Sequence, residues 1–177
     1  MDKLVPGTNK AFIKEDAFKA YKELISLTDG LSLGQVCAIT NLDPAVVQNW
    51  VKRGYVSHPI KKKYHEKQLA RILMINSLRG AMKIEDIGKL MTLINGDVED
   101  ESDDLISEEE LYSLFSKVMF HLEDYDKIDG AIKKVVKHHS KNENKLEYAL
   151  KIMTNAHIAS IHKKETLYNL KKLQELS

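Results

Sequence analysis

The chain has 177 residues, of which 43% are hydrophobic and 30% charged, enough for one folded domain or one module with an extension. Its single cysteine, Cys37, excludes an internal disulfide and any zinc site built from cysteines. No apolar run approaches the ~20 residues of a membrane span. The first ten residues also lack the apolar core of a signal peptide, so we expect a cytoplasmic protein with no membrane partner.

The formal net charge of +1 hides a strong segregation of charge along the chain. Residues 31–83 carry nine Lys and Arg against two acids, a net of +7. Residues 84–126 carry two Lys against fourteen acids, a net of −12. Residues 1–30 are neutral, and residues 127–177 carry eleven Lys against five acids, a net of +6. Such segregation favours a charged partner more than an even mixture would.

The N-terminal elements are predicted from apolar spacing and from helix-ending residues. After a polar, mobile start, apolar residues at helical spacing predict a helix over residues 11–27, which Gly30 ends. Ser32 followed by Gln35 has the spacing of a capping box and predicts a short helix to about Thr40.

A tight turn and a second short helix follow. Asn41 suits the turn because it adopts the left-handed conformation more readily than most residues. Asp43 is a favourable N-cap, and Pro44 is favourable at the first helical position. Gly54 ends this helix. The polar stretch 55–64, with its three successive Lys, is predicted to be a small loop or a β-wing.

The rest of the chain is predicted to be helical, apart from an acidic linker at residues 96–104, GDVEDESDD. Apolar residues at helical spacing predict five further helices, at residues 66–79, 84–94, 107–122, 130–139 and 146–173. The expected fold class is therefore all-α. Four regions are expected: an N-terminal helix with a mobile start at 1–30, a DNA-binding region at 31–95, the linker at 96–104, and a helical dimerisation or sensing region at 105–177.

The order of these elements is typical of DNA-binding proteins: a helix, a turn, a second helix and then a basic segment. The first helix braces the second, which enters the major groove. On the second helix, Gln48 and Asn49 can bond adenine edges, while Lys52 and Arg53 favour guanine or phosphate. We expect Trp50 to pack this helix onto the domain.

The basic segment supplies further candidate contacts. Lys61, Lys62 and Lys63, beside Tyr64, are predicted to contact phosphates and so to fix the register on the duplex. The alternative is that these residues, like the polar face of the second helix, are ordinary solvated surface.

The sequence offers few candidates for a reactive thiol, a metal site or a catalytic site. We expect Cys37 to be a small buried hydrophobic residue rather than a sensor thiol. His138 and His139 are adjacent, and His157 and His162 lie five apart, so neither pair has the i, i+4 spacing that joins two imidazoles on a metal. The acidic linker lacks the ligand spacing of a calcium loop. No phosphate loop or catalytic motif stands out, so we expect no enzyme, no cofactor and no metal site.

Two stretches resemble the DNA-binding domain of MerR-type transcriptional regulators: LSLGQVCAITNLDPAVVQNWVKRGYV, and then KKKYHEKQLARILMINSLRGAMKIEDIGKLM. In that family the wing ends in a basic-Tyr pair, matched here by Lys63-Tyr64. The second of two following helices begins with a pattern that Ile84-Glu85-Asp86-Ile87 matches. The whole chain, with its QNWVKRG segment and acidic linker, is similar to an uncharacterised bacterial domain-of-unknown-function family with a MerR-like DNA-binding region.

The resemblance implies a winged helix-turn-helix fold, double-stranded DNA as partner, and a homodimer paired through the helices that follow the wing. One departure lies in the second helix, where the family usually has Arg-Tyr-Tyr and this chain has Gln48, Asn49 and Trp50. The strong phosphate contact of that Arg is absent, and we expect Lys52 and Arg53 to compensate.

The sequence therefore supports two functions from different classes. The first is a sequence-specific transcriptional regulator whose operator, effector and sign of regulation the sequence does not name. The second is a helical protein-interaction module or adaptor that kept the winged fold without specific DNA binding, since a fold alone does not decide a function.

Overall fold

A computed structural model of the chain describes residues 4–12, 14–96, 105–137 and 143–176. Over these residues the protein is all-α, as predicted, with three isolated β-bridges in place of a sheet. The helices are α1 (Ala17–Thr28), α2 (Leu33–Thr40), α3 (Pro44–Lys52), α4 (Glu66–Leu78), α5 (Ile84–Asn95), α6 (Glu108–His121), α7 (Ile128–Val136) and α8 (Glu143–Glu175), with a short 3-10 turn before α7.

The ends of α1 and α2 follow from local capping. The Ser32 hydroxyl accepts from the backbone N–H of Gln35 at 3.3 Å, and the Gln35 side chain accepts from the backbone N–H of Ser32 at 2.8 Å, so the predicted capping box is present. Asn41 ends α2 with a φ of 55°. At the end of α1 the left-handed cap is Asp29, with a φ of 49°, and Gly30 follows it.

Helix α4 is the centre of the molecule. Ten of its thirteen residues are buried, because α1, α2, α5, α6 and α8 all pack against it. The predicted regions 31–95 and 105–177 therefore share one hydrophobic core over the residues described, rather than forming separate units. The predicted linker, apart from Gly96, lies outside the described residues.

The N-terminal segment is part of this core, so the prediction of a mobile start is wrong for residues 4–12. Val5 is 4% exposed. The Tyr112 hydroxyl donates to the Pro6 carbonyl at 2.7 Å, and the Asn76 side chain donates to the Gly7 carbonyl at 2.8 Å. Gly7 has a φ of 76°, and the Leu73 backbone occupies the space that a side chain would need there. The sequence did not predict this order, because two of the hydrogen bonds that hold the segment are accepted by its backbone carbonyls and not by its side chains.

A buried ion pair joins α4 to the start of α6. The Arg71 guanidinium lies 2.7 Å from a Glu108 carboxylate oxygen, and both side chains are almost fully buried. The same guanidinium donates through Nε to the Tyr55 carbonyl at 3.0 Å. Arg71 therefore connects α6 to the segment that follows α3.

Helix α8 has two unlike halves. Its first half folds back onto α4, α6 and α7. Five apolar residues of this half lie in the chain's own core: Leu146, Ala149, Leu150, Met153 and Ala156. From His162 onward the side chains are exposed, including those of Leu167, Leu170 and Leu173 in α8 and of Leu176 just after its end. Within the described residues, no helix has the length and apolarity needed to cross a membrane.

Candidate nucleic-acid interface

Helix α3 divides cleanly into a buried face and an exposed face. Val47 is fully buried and Trp50 is 4% exposed, so the expected packing role of Trp50 is confirmed. The Arg79 guanidinium lies over the Trp50 ring at 5.7 Å from its centroid, which covers the indole from the α4 side. These contacts fix the rotation of α3 about its axis and so decide which side chains face solvent.

The exposed face carries Gln48, Asn49 and Lys52. None of these three side chains makes a hydrogen bond or an ion pair within the part of the chain that the structure describes. Two amides and one ammonium therefore stand on the outer face of a rigidly packed helix, with their bonding capacity available to a partner.

Arg53, at the C-cap of α3, is held by the protein itself. Its guanidinium lies 2.9 Å from a Glu85 carboxylate oxygen in the first turn of α5 and 4.9 Å from the centroid of the Tyr55 ring. The pKa of Glu85 is lowered by a backbone hydrogen bond and then by the bond from Arg53. The sequence identified Glu85 only as part of a family pattern, and its pairing with Arg53 is visible only in three dimensions.

The three successive lysines form a tight basic turn, residues 60–63. The backbone groups of Ile60 and Lys63 exchange two hydrogen bonds, of 2.9 and 2.8 Å. The central residues, Lys61 and Lys62, both have positive φ, 48° and 64°, which is the pattern of a type I′ turn. Such turns favour Asn and Gly, because a Cβ makes this conformation costly. Both lysines are nevertheless found there, and both are exposed.

The structure corrects the two candidate contacts that follow in the chain. The Lys63 ammonium points back into the protein, 3.5 Å from the Thr28 carbonyl and 3.4 Å from the Gly30 carbonyl. Tyr64 is 4% exposed, because its backbone pairs with Leu31 at 2.8 Å in both directions and draws the side chain into the core. In this conformation neither side chain is presented to a partner, so the basic turn offers Lys61 and Lys62 alone.

Within the described residues, the other candidate groups of the sequence do not come together in a site. Cys37 is half-buried against the core, and burial followed by the charge of Asp43 raises the pKa of its thiol. Across the described ranges, no group of three His, Cys, Asp or Glu could hold a metal ion. His138 and His139 lie outside those ranges. His157 is buried, whereas His162 is exposed.

A family model described as "Domain of unknown function (DUF1836)" matches residues 22–115, slightly more than half of the chain. The chain belongs to this family. The match runs from within α1 to within α6 and so includes α3, the basic turn and α4. It confirms the expected similarity to an uncharacterised family, and its description assigns no activity.

One relative of this DUF1836 protein is "Uncharacterized protein YkrK" of Bacillus subtilis (strain 168). The two are 32% identical over 87 residues, which is 47% of this chain and 37% of the relative. The chain thus aligns with little more than a third of that protein. No solved structure matches the chain.

Proposed function

We propose that this DUF1836 protein is a sequence-specific transcriptional regulator of MerR-like type, which inserts α3 into the major groove of double-stranded DNA. The observation that carries the proposal is the exposed face of α3. Gln48 and Asn49 can each form two hydrogen bonds with an adenine edge, and Lys52 can contact guanine or phosphate. Their side chains are exposed and make no bonds within the described protein, as a base-contacting surface requires.

The basic turn acts as a minimal wing in this proposal. Lys61 and Lys62 contact phosphates and set the register of α3 in the groove. Arg53, already oriented by Glu85 and Tyr55, contributes a further phosphate contact from the end of α3. Lys63 and Tyr64 support the wing from inside the protein.

The regulator acts as a homodimer, because one α3 offers few base contacts and paired half-sites give a more selective site. Because much of the first half of α8 is buried in the chain's own core, the far half of α8 supports the dimer contact in this proposal. Leu167, Leu170 and Leu173 on α8 and Leu176 just after its end are between 51% and 86% exposed, and clustered exposed apolar residues of this kind mark interaction sites. Pairing of this half between two protomers covers them and places two copies of α3 on one duplex.

Selection of bound sites from random double-stranded DNA tests the proposal. We expect a pseudo-palindromic motif, with half-sites separated by about one helical turn or a multiple of it. Gln48→Ala and Asn49→Ala should each relax the preference at one or two base pairs of each half-site and weaken binding there by about 1–3 kcal/mol. Recovery of no motif, or of an unchanged motif with both variants, would contradict base contact by α3.

Light scattering tests the dimer. The variant Leu167→Gln/Leu170→Gln removes two exposed leucines and should be monomeric at concentrations where the wild type is dimeric. The control, Lys171→Gln/Lys172→Gln, places the same number of glutamines on the same exposed half of α8 and should remain dimeric. A monomeric wild type, or equal effects of the two variants, would exclude this dimer.

The second candidate function, a protein-interaction module, is favoured by the same exposed leucines of α8. The two functions differ in their response to DNA. An interaction module would bind every sequence weakly and yield no motif, whereas its leucines would still be needed for a protein partner.

A further inference from the structure

A cleft of about 630 Å³ lies at the C-terminal end of α4. It is bounded by the N-terminal segment, the turn between α2 and α3, the end of α4, and α8 from His157 to Asn169. Its volume is within the range of about 300–1,000 Å³ that is usual for small-molecule sites. Its position is separate from the exposed face of α3.

Among the buried polar residues that line this cleft, the hydroxyl groups of Thr40, Ser77 and Ser160 donate to carbonyls of their own helices. The imidazole of His157, which is 6% exposed, differs from them. Its Nδ1 lies 3.4 Å from the Ser77 carbonyl, which fixes a proton on that nitrogen. Burial lowers the pKa of the ring to about 4, so the ring is neutral at pH 7 and Nε2 carries a lone pair. Within the described protein this Nε2 is buried without a hydrogen-bond partner, an arrangement that costs free energy unless a donor reaches it.

Two cations line the same cleft, Arg79 and Lys164. Arg79 is held in place by a 3.0 Å bond from its Nε to Asn76 and by the Trp50 ring. Its two terminal nitrogens therefore remain for a carboxylate, in the paired geometry that guanidinium groups favour. Glu165 is the acid among the charged groups of the lining, and it lies 3.9 Å from His162.

The remaining surface of the cleft includes apolar groups, Leu4, Ile161 and the ring of Tyr168. Leu4 and Tyr168 are 45% and 58% exposed, so an apolar body that contacts both would shield part of each from water. Pockets with this combination of apolar walls and a few fixed polar groups bind small organic molecules.

We infer that this cleft binds a small hydroxylated aromatic acid, whose carboxylate contacts Arg79 and Lys164 and whose hydroxyl donates to Nε2 of His157. The inference concerns the protein without DNA and stands independently of the proposed function. The cleft borders Thr40 and Asn41 of the turn before α3, and Asn76 donates to the Thr40 carbonyl at 3.0 Å. An occupant would therefore touch the residues that position α3.

The test uses the full chain and three related probes, with binding followed by backbone amide shifts in NMR titrations. The probe 3-hydroxybenzoate carries both the carboxylate and the donor, benzoate lacks the donor, and 3-hydroxybenzyl alcohol lacks the charge. We expect saturable shifts confined to the cleft lining with 3-hydroxybenzoate, and about tenfold weaker binding of each truncated probe, as the loss of one good polar contact predicts.

Variants assign the contacts. Lys164→Gln should weaken 3-hydroxybenzoate binding several-fold, whereas Lys171→Gln, an equal charge loss on α8 outside the lining, should not. His157→Phe keeps a ring of similar size against Phe115 and should remove the preference for 3-hydroxybenzoate over benzoate, with a thermal melt to show that it folds. Absence of saturable shifts at the cleft, equal binding of the three probes, or equal effects of the two lysine variants would overturn the inference.

Discussion

Helices α3 and α4 are neighbours in the chain, yet their polar side chains differ in where they form hydrogen bonds. On α4, Gln68, Arg71 and Asn76 all bond to groups of the protein, including the carbonyls of His58, Tyr55 and Thr40. On α3, the outer polar side chains make no such bonds within the described residues. Polar groups that are satisfied internally fix the fold, whereas exposed ones on a rigid element remain for a partner.

This difference separates substitutions that should unfold the protein from substitutions that should change only its binding. Changes on the α4 side should lower the free energy of unfolding. Changes on α3 and the basic turn should leave it almost unaltered. The predictions below test that separation.

The largest effect is expected at the Arg71–Glu108 pair. Glu108→Gln leaves the buried Arg71 charge without its counter-charge and should lower the free energy of unfolding by about 3–5 kcal/mol. Glu109→Gln is the control, because it removes a carboxylate from the same first turn of α6 and so has the same effect on the helix dipole. Urea denaturation measures both, and a difference below about 1 kcal/mol would show that the pair is not a structural element.

A slightly smaller loss of unfolding free energy is expected when the pH is lowered, because His157 is buried. The pKa of its ring is lowered to about 4, chiefly by burial. The hydrogen bond to the Ser77 carbonyl raises this pKa, and the charge of Lys164 lowers it further. Between pH 6.5 and about pH 4 the unfolded chain takes up the proton and the folded chain does not, so stability falls as pH falls. The loss should reach about 3 kcal/mol.

The variant His157→Phe isolates this contribution. Its free energy of unfolding should vary less with pH over that window than that of the wild type, while the carboxylates titrate alike in both. Denaturation at a series of pH values measures the difference. Parallel pH profiles would show that His157 titrates normally in the folded protein.

The smallest effect on stability is expected at the basic turn, and it has the opposite sign. Lys61→Asn/Lys62→Gly supplies the residues that a type I′ turn favours and should raise the free energy of unfolding by about 1 kcal/mol. The same change should weaken DNA binding, because both phosphate contacts are lost. A variant that is stabilised and still binds DNA like the wild type would remove the turn from the interface.

The sequence predicts well the features that depend on neighbouring residues. The capping box at Ser32 and the left-handed conformation of Asn41 follow from local chemistry. The bounds of α2 and α3 could therefore be predicted closely. The position of the Lys63 ammonium could not be predicted in this way, because the carbonyls that bind it belong to Thr28, at the end of α1, and to Gly30, more than thirty residues away in the chain. Tyr64 is buried for a similar reason, its backbone pairing with Leu31.

The exposure of the candidate residues was predicted correctly where it follows from helical periodicity, as for Gln48 and Asn49, and their contact with DNA stays a prediction. The expected exposure was wrong where a distant backbone group holds the residue, as for Lys63 and Tyr64. The role of Arg71 was also hidden, since an arginine between apolar positions looks like the solvent face of an amphipathic helix. Its burial requires α6, whose Glu108 supplies the counter-charge.

The most direct test of the central claim is the salt dependence of DNA binding by two variants of equal net charge. Lys52→Gln/Lys61→Gln/Lys62→Gln neutralises the proposed interface, and Lys133→Gln/Lys145→Gln/Lys171→Gln neutralises three exposed lysines elsewhere. Fluorescence anisotropy at several salt concentrations gives the slope of log affinity against log salt. We predict that the interface variant loses about three units of slope, near 0.9 for each phosphate contact, and that the control keeps the wild-type slope. Equal slopes for the two variants would contradict DNA binding through α3 and the basic turn.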